Sequence, residues 1–343
     1  MMRLPLPWLL TLTTAALALL LVGSLATGPM SLSFGESLRA LFAGQQSGIE
    51  AHKLLIVQGI RLPRTLLCIA VGGILGLCGA VMQGLFRNPL ADPGIIGVSG
   101  GAALGAALAI VLLAPLGSHL QSLLGLGLLP LLAFLGGALT TTLVYLLGTR
   151  EGGTSVTVML LAGVAITALS GAVIGLLTYL ADDQMLRNLS LWQMGSLAAG
   201  KPVDVTLALL TLAALLLLFM RDANPLNALL LGEGEARHLG VNVQTLKRRL
   251  ILLTAAGVGV AVAVAGMIGF VGLVVPHLVR LLAGPNHVRL LPLSALLGAG
   301  LLLGADMLAR TLLAPAELPV GIITALMGAP FFIWLLVKSR RTL

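Results

Sequence analysis

From Pro93 to Thr149 the chain runs 57 residues without a charged side chain. No water-soluble fold can hide so long a run, and a bilayer takes it up at ~20 apolar residues per helix. Two further uncharged runs, Thr65–Phe86 with 22 residues and Leu250–Val279 with 30, make the same demand. Only 9% of the 343 residues are charged and 58% are hydrophobic, where a soluble domain carries about 25% charged residues. The expected class is an all-α integral membrane protein. The formal charge of +8 would suggest a nucleic-acid partner in a soluble protein. Here the basic residues gather in loops, where they orient helices, so no nucleic acid is expected.

Charges and helix breakers divide the chain into ten expected spans within one transmembrane domain over residues 1–343. Met1–Thr27 reads as a first helix, although Ser24-Leu25-Ala26 could serve as a signal-cleavage site. Thr65–Phe86 is the second. The Pro115–His119 region splits the long run into the third and fourth. Gly152–Ala181 and the short Val205–Met220 follow. Breakers at Gly269, Gly272 and Pro276 divide the next run into a long seventh and a short eighth helix. Leu290–Leu308 and Leu318–Val337 complete the set. Ten spans place both termini on one side, and 13 of the 20 Lys and Arg residues then share that side. The positive-inside rule makes it the cytoplasm.

Rows of small residues at helical spacing (Gly97, Gly101, Gly105; Gly72, Gly76; Gly300, Gly304) suit close helix packing. Arg64–Phe86 and Arg249–Val271 share a pattern of a basic residue, an Ala/Gly/Val-rich helix and Met-x-Gly. Five spans per half would make such repeats inverted.

Catalytic chemistry is missing from the sequence. It has no phosphate loop, no H-E-x-x-H and no His/Cys cluster. Cys68 and Cys78 read as inert buried thiols. Of the five scattered histidines, His277, after Pro276 in an apolar setting, is the one singled out. Asp306 and Arg310 stand at i,i+4 and read as an ion pair. The spans carry no acidic or histidine relay, so a transporter built this way draws its energy from a partner. An ion-coupled secondary transporter is the alternative, and an intramembrane enzyme is a third.

Against this apolar background Leu231–Asn242 is polar and helix-prone, within a cytoplasmic loop expected over 221–249. That run, together with IRLPRTLLCIAVGG, GAVMQGLFRNPLADPGIIGVSGGA, LLAGVAI, LWQMGSL, GFVGLVVPHLVR and AELPVGIITALMGAPFFIWLL, resembles the permease subunits of binding-protein-dependent ABC importers for iron-siderophores, haem and cobalamin. The resemblance implies a ten-helix subunit in two inverted five-helix halves, forming a homodimer with a central pathway. It implies two ATPase subunits, which hold the ATP and Mg, and a periplasmic substrate-binding protein. No cofactor or metal is expected in this chain.

Residue roles follow from the same resemblance. Leu231, Gly232, Glu233, Ala236, Arg237, His238, Leu239 and Gly240 would seat in the ATPase. Leu231, Ala236 and Leu239 can pack there while Glu233, Glu235, Arg237 and His238 bond at the rim. Arg61, Arg64 and Arg310 would dock the binding protein. Asn88, Pro89 and Leu90, with Thr154 and Ser155, match the cytoplasmic gate. The pathway wall would come from the fifth helix, at Ser170, Gly171, Ile174, Gly175 and Thr178, with Arg187 just beyond it. Two Arg187 copies across a dimer axis would suit the two propionates of haem, which ranks haem ahead of siderophores and cobalamin.

Overall fold

The computed structural model describes residues 5–28, 30, 32–42, 50–113, 127–150, 153–198 and 200–340. Over these the chain is almost wholly helical, as the apolar runs require. In lipid every backbone N–H and C=O must bond within its own segment. Among the described residues seven helices are long and apolar enough to cross a membrane. They are α1 (Leu6–Ala26), α3 (Ala51–Leu85), α5 (Leu128–Gly148), α6 (Val156–Leu180), α8 (Pro202–Arg221), α11 (Val243–Ala265) and α13 (His287–Thr311). Three helices with shorter apolar stretches accompany them: α4 (Val98–Leu113), α12 (Val271–Ala283) and α14 (Val320–Arg340), whose apolar stretch is Val320–Leu335. The remaining helices α2 (Phe34–Phe42), α7 (Asp183–Gln193), α9 (Ala223–Leu230) and α10 (Glu233–His238) are short and more polar. The expected break at Pro115–His119 lies outside the described residues.

α3 is the axis of the bundle, packing on α1, α8, α11, α12 and α13. Its contact with α13 is built on glycine. A Cβ at Gly76 would collide with the Ser294 carbonyl oxygen, and one at Gly72 with that of Gly298. The α4–α5 contact works the same way, through Gly101, Gly105 and Gly136. Two expected glycines do not take part. Gly304 has no atom within 4 Å of where its Cβ would stand, and Gly300 meets only Leu20 at 3.5 Å. The close-packing residue of α13 is Gly298, earlier in the helix on its buried face.

α3 begins at Ala51 rather than Thr65, and its extra turns include a wide π stretch over Leu55–Arg61. Arg61 and Arg64 do not end the helix, because both are buried within it. At the far end α3 stops at Leu85, four residues before Pro89. The stop is a backbone closure. Asn88 N–H donates to Gln83 C=O at 3.1 Å and Arg87 N–H to Gly84 C=O at 3.2 Å, with Arg87 left-handed at φ 50°. This pairing satisfies the last carbonyls of a helix.

The chain path defines two ends of the bundle. One carries the 87–94 turn, the 149–154 hairpin, α9, α10 and the start of α13. The other carries α2, α7, the 266–270 turn and the Arg61/Arg64/Arg310 group.

Candidate functional site

α10 occupies the first end. Gly232 precedes it with φ +122°, and Gly240 follows it with φ +82°. Both are conformations that favour glycine. Of the three apolar residues expected to pack outward, Ala236 is fully buried in the chain's own core. Leu231 and Leu239 are 68% and 64% exposed, and Arg237 and His238 are exposed beside them. The knob therefore presents two leucines, an arginine and a histidine. Glu233 does not belong to that rim. Its Oε1 accepts from Lys247 Nζ at 2.7 Å, and the Lys247 side chain is 3% exposed.

Lys247 was not legible as a functional residue, yet it joins three elements. From α11 it reaches Glu233 on α10 and donates to the Thr154 carbonyl at 3.1 Å. Gln244, one turn earlier, accepts from the Thr154 N–H at 3.0 Å. Both backbone groups of Thr154 are thus held by one face of α11. Thr154 sits in a two-residue antiparallel hairpin, opposite Thr149, between the end of α5 and the start of α6. Gly153 is left-handed at φ +113°, and a Cβ there would collide with the Gln244 amide. Ser155 is exposed and caps α6, its Oγ accepting from Val158 N–H at 3.5 Å. Asn88 and Pro89 are exposed in the turn after α3, and the Asn88 Oδ1 accepts from Leu90 N–H at 2.9 Å.

Neighbouring ties make this end a connected platform. Arg249 on α11 makes a bidentate ion pair with Asp222, its Nε donating to Oδ2 at 2.8 Å. Asn227 on α9 accepts from His287 N–H at 2.8 Å and donates to Asn286 at 3.0 Å, fixing α9 to the start of α13.

α6 divides the expected pathway residues between two faces. Ser170 is 3% exposed, and Ile174 packs on the cluster that contains Ala107, Ile110 and Leu177. Neither belongs to an open wall, because the Met159–Gly163–Ser170–Leu177 stripe is the side that α6 turns toward its own chain. Thr178 is exposed, and Gly171 and Gly175 have open space around them. Leu161, Val164, Leu169 and Leu176 are also exposed, at 59–67%. Arg187 is exposed on α7, one helix beyond. His277 meets Phe331 edge-on, ring centroids 6.0 Å apart.

The three arginines expected to dock a binding protein are instead spent inside the chain. Arg61 donates to the carbonyls of Leu25 at 2.7 Å, Ala26 at 3.0 Å and Met30. Arg64 pairs with Asp306 at 2.9 Å and with Glu317 at 2.7 Å. Arg310 pairs with Asp306 at 3.0 Å and donates to Ser24 Oγ at 2.8 Å and to the Thr27 carbonyl at 3.2 Å. All three are at most 8% exposed. Each guanidinium is committed to contacts within the chain. Its burial is tolerable because carboxylates and the last carbonyls of α1 satisfy it.

The FecCD transport family matches residues 16–338. The hemin transport system permease protein HmuU of Yersinia pestis is 47% identical over 327 residues, which cover 94% of this chain and 93% of that protein. The cobalamin import system permease protein BtuC of Halobacterium salinarum is 44% identical over 297 residues, covering 87% and 77% respectively. A metal-chelate type ABC transporter solved in an inward-facing conformation superposes with a TM-score of 0.83 at 35% identity, over 97% of this chain and 99% of that one.

Proposed function

This chain belongs to the FecCD transport family and is a permease subunit rather than an enzyme, and from that premise we propose that it carries haem inward in an ATP-driven importer. The ATP-driven part rests on one observation above all. The α10 knob leaves Leu231 and Leu239 exposed around a buried Ala236, on a short helix whose remaining groups are polar. A bundle end facing only water would gain nothing from two such leucines, whereas a groove in a partner ATPase buries them. ATP and Mg belong to that partner.

The seven long and three shorter apolar helices are taken as ten crossings of the bacterial inner membrane. The α10 end and both termini then lie in the cytoplasm. The exposed apolar flank of α6 is taken as partly lipid-facing and partly dimer-facing, with a second copy completing a central pathway. Its open residues Gly171, Gly175 and Thr178 are small, which suits a bulky substrate that must not stick. Haem ranks first because the relative with 47% identity is a hemin permease and because Arg187 is an exposed cation at the far end of α6. Cobalamin is next and ferric siderophores follow. With Arg61, Arg64 and Arg310 enclosed, docking of the substrate-binding protein falls to charges that stay exposed on the same end, such as Arg39 and Lys201.

Reconstitution tests the reading. Proteoliposomes holding this chain with its ATPase subunit, and supplied with the binding protein, should take up haem when ATP is enclosed on the ATPase side. Uptake driven by a proton gradient without ATP would overturn it. Uptake of cobalamin in preference to haem would overturn the substrate ranking alone.

A further inference from the structure

We propose that Gln244 and Lys247 of α11 form the strut that carries movement of α10 to the gate hairpin at the foot of α6. This deepens the permease reading above and rests on it. The geometry supplies three links in series. Glu233 on α10 holds the Lys247 ammonium at 2.7 Å. The same ammonium holds the Thr154 carbonyl at 3.1 Å. The Gln244 amide oxygen holds the Thr154 N–H at 3.0 Å. In an extended residue the N–H and C=O point to the same side of the strand, so one face of α11 can hold both. Gripping both fixes the residue against sliding and against rotation.

What Thr154 does next decides the role. Ser155 N–H donates to the Gly148 carbonyl at 2.8 Å, and α6 begins at Val156. The hairpin is therefore welded to the end of α5 and the start of α6, the helix assigned to the pathway. Gly153 keeps the clamp closed, since any side chain there would displace the Gln244 amide. A push on α10 has no slack to take up before it reaches α6. Lys247 is nearly fully enclosed, so its two bonds do not compete with water and are stiffer than an exposed pair. Its bonds run to Glu233 and Thr154, and it acts by positioning.

The test compares Lys247→Met, Lys247→Arg, Gln244→Leu and Glu233→Gln with the wild type. Met preserves the buried stem, and the Glu233 it leaves behind can reach water, so the fold should survive. In the reconstituted complex, ATP hydrolysis in Lys247→Met should stay within about twofold of wild type while substrate moved per ATP falls about tenfold, the equivalent of one charge-assisted hydrogen bond. Arginine should restore part of that ratio, a rescue that a merely structural cation would not produce in the ratio. A second readout needs neither ATPase nor substrate. Hydrogen exchange on the permease in nanodiscs should show the Thr154 amide losing protection in Gln244→Leu, with α3 and α13 unchanged. Wild-type transport per ATP in both Lys247→Met and Gln244→Leu would overturn the strut. So would an unaltered Thr154 amide in Gln244→Leu. If Lys247→Met fails to fold, Gln244→Leu and Glu233→Gln carry the same comparison. If the wild type neither hydrolyses nor transports while the exchange result holds, the permease reading fails and the clamp itself stands.

Discussion

Arg64 and Asp306 lie 242 positions apart in sequence and meet through three contacts of 2.9–3.2 Å at one end of the bundle. Asp306 is fully buried and serves Arg310 as well, so one carboxylate bridges two guanidiniums on two helices. Through Arg310 the pair also reaches Ser24 and Thr27, which anchors the last turn of α1 to α13. The charges at this end are fasteners first.

Removing that carboxylate should be costly. Asp306→Ala leaves Arg64 with Glu317 only and Arg310 with no anion, and breaking a buried pair by deleting one partner costs ~3–5 kcal/mol. Thermal unfolding of the purified permease should show a large loss of stability, with the 23–28 segment losing hydrogen-exchange protection first. A near-native transition for Asp306→Ala would mean that the cluster is solvated rather than enclosed.

Glycine substitutions should separate packing from mere helical spacing. Gly76→Ala forces a methyl against the Ser294 carbonyl and should destabilise by ~1–3 kcal/mol, the usual size of overpacking. Gly304→Ala meets no atom within 4 Å and should be neutral or slightly stabilising, because alanine is the better helix former by about 1 kcal/mol. Both are read as shifts in the thermal midpoint in one detergent. Equal shifts would refute the assignment of α3–α13 contact to Gly76.

The α10 knob makes a third case. Leu231→Ser with Leu239→Ser should leave insertion and thermal stability unchanged, since both residues are exposed in the isolated chain. Attachment of the ATPase should weaken by about a hundredfold or more, in line with losing two buried apolar side chains at roughly 1.5 kcal/mol each. Co-purification yield and a titration of ATPase onto permease nanodiscs measure it. Unchanged attachment would move the docking surface elsewhere.

Much of this was legible beforehand because membrane helices announce themselves by length and apolarity. The seventh and eighth helices, Val243–Ala265 and Val271–Ala283, part at the 266–270 turn that holds Gly269, whereas Gly272 and Pro276, also expected as breakers, lie inside the eighth. The failures share a cause. Arg61 and Arg64 match docking residues by resemblance, and in sequence a buried, satisfied arginine looks the same as one facing water. The partners of Arg64, Asp306 and Glu317, lie more than 240 residues away. Lys247 hid for the same reason, inside a basic Lys-Arg-Arg run that reads as an orienting cluster. α2 and α7 escaped notice because they are short and amphipathic, with no long apolar run to signal them. Ser170 and Ile174 were assigned to the wall by resemblance, but which face of α6 turns inward is settled by α4 and α7, which no spacing within α6 reveals.

Arg187 carries the substrate argument, and its case can be put to a sharp comparison. It is exposed on α7, past the open Gly171–Gly175–Thr178 side of α6, whereas the other arginines of this end are enclosed, Arg39 apart. A guanidinium forks onto a carboxylate and keeps its charge at any working pH. A partly desolvated bond of this kind contributes about 1.5–3 kcal/mol, which is a ten- to hundredfold effect on transfer of a dicarboxylate such as haem. Arg187→Ala should therefore slow haem uptake by that factor and leave binding-protein affinity alone. Arg187→Lys should recover part of the rate, because the charge remains and the fork is lost. Cobalamin uptake, if measurable in the same vesicles, should change little, since it presents no pair of carboxylates. Wild-type haem uptake by Arg187→Ala would remove the residue from the pathway and leave the ranking of haem resting on sequence kinship alone. A parallel fall in uptake and in binding-protein affinity would place Arg187 at the docking rim instead, beside Arg39 and Lys201.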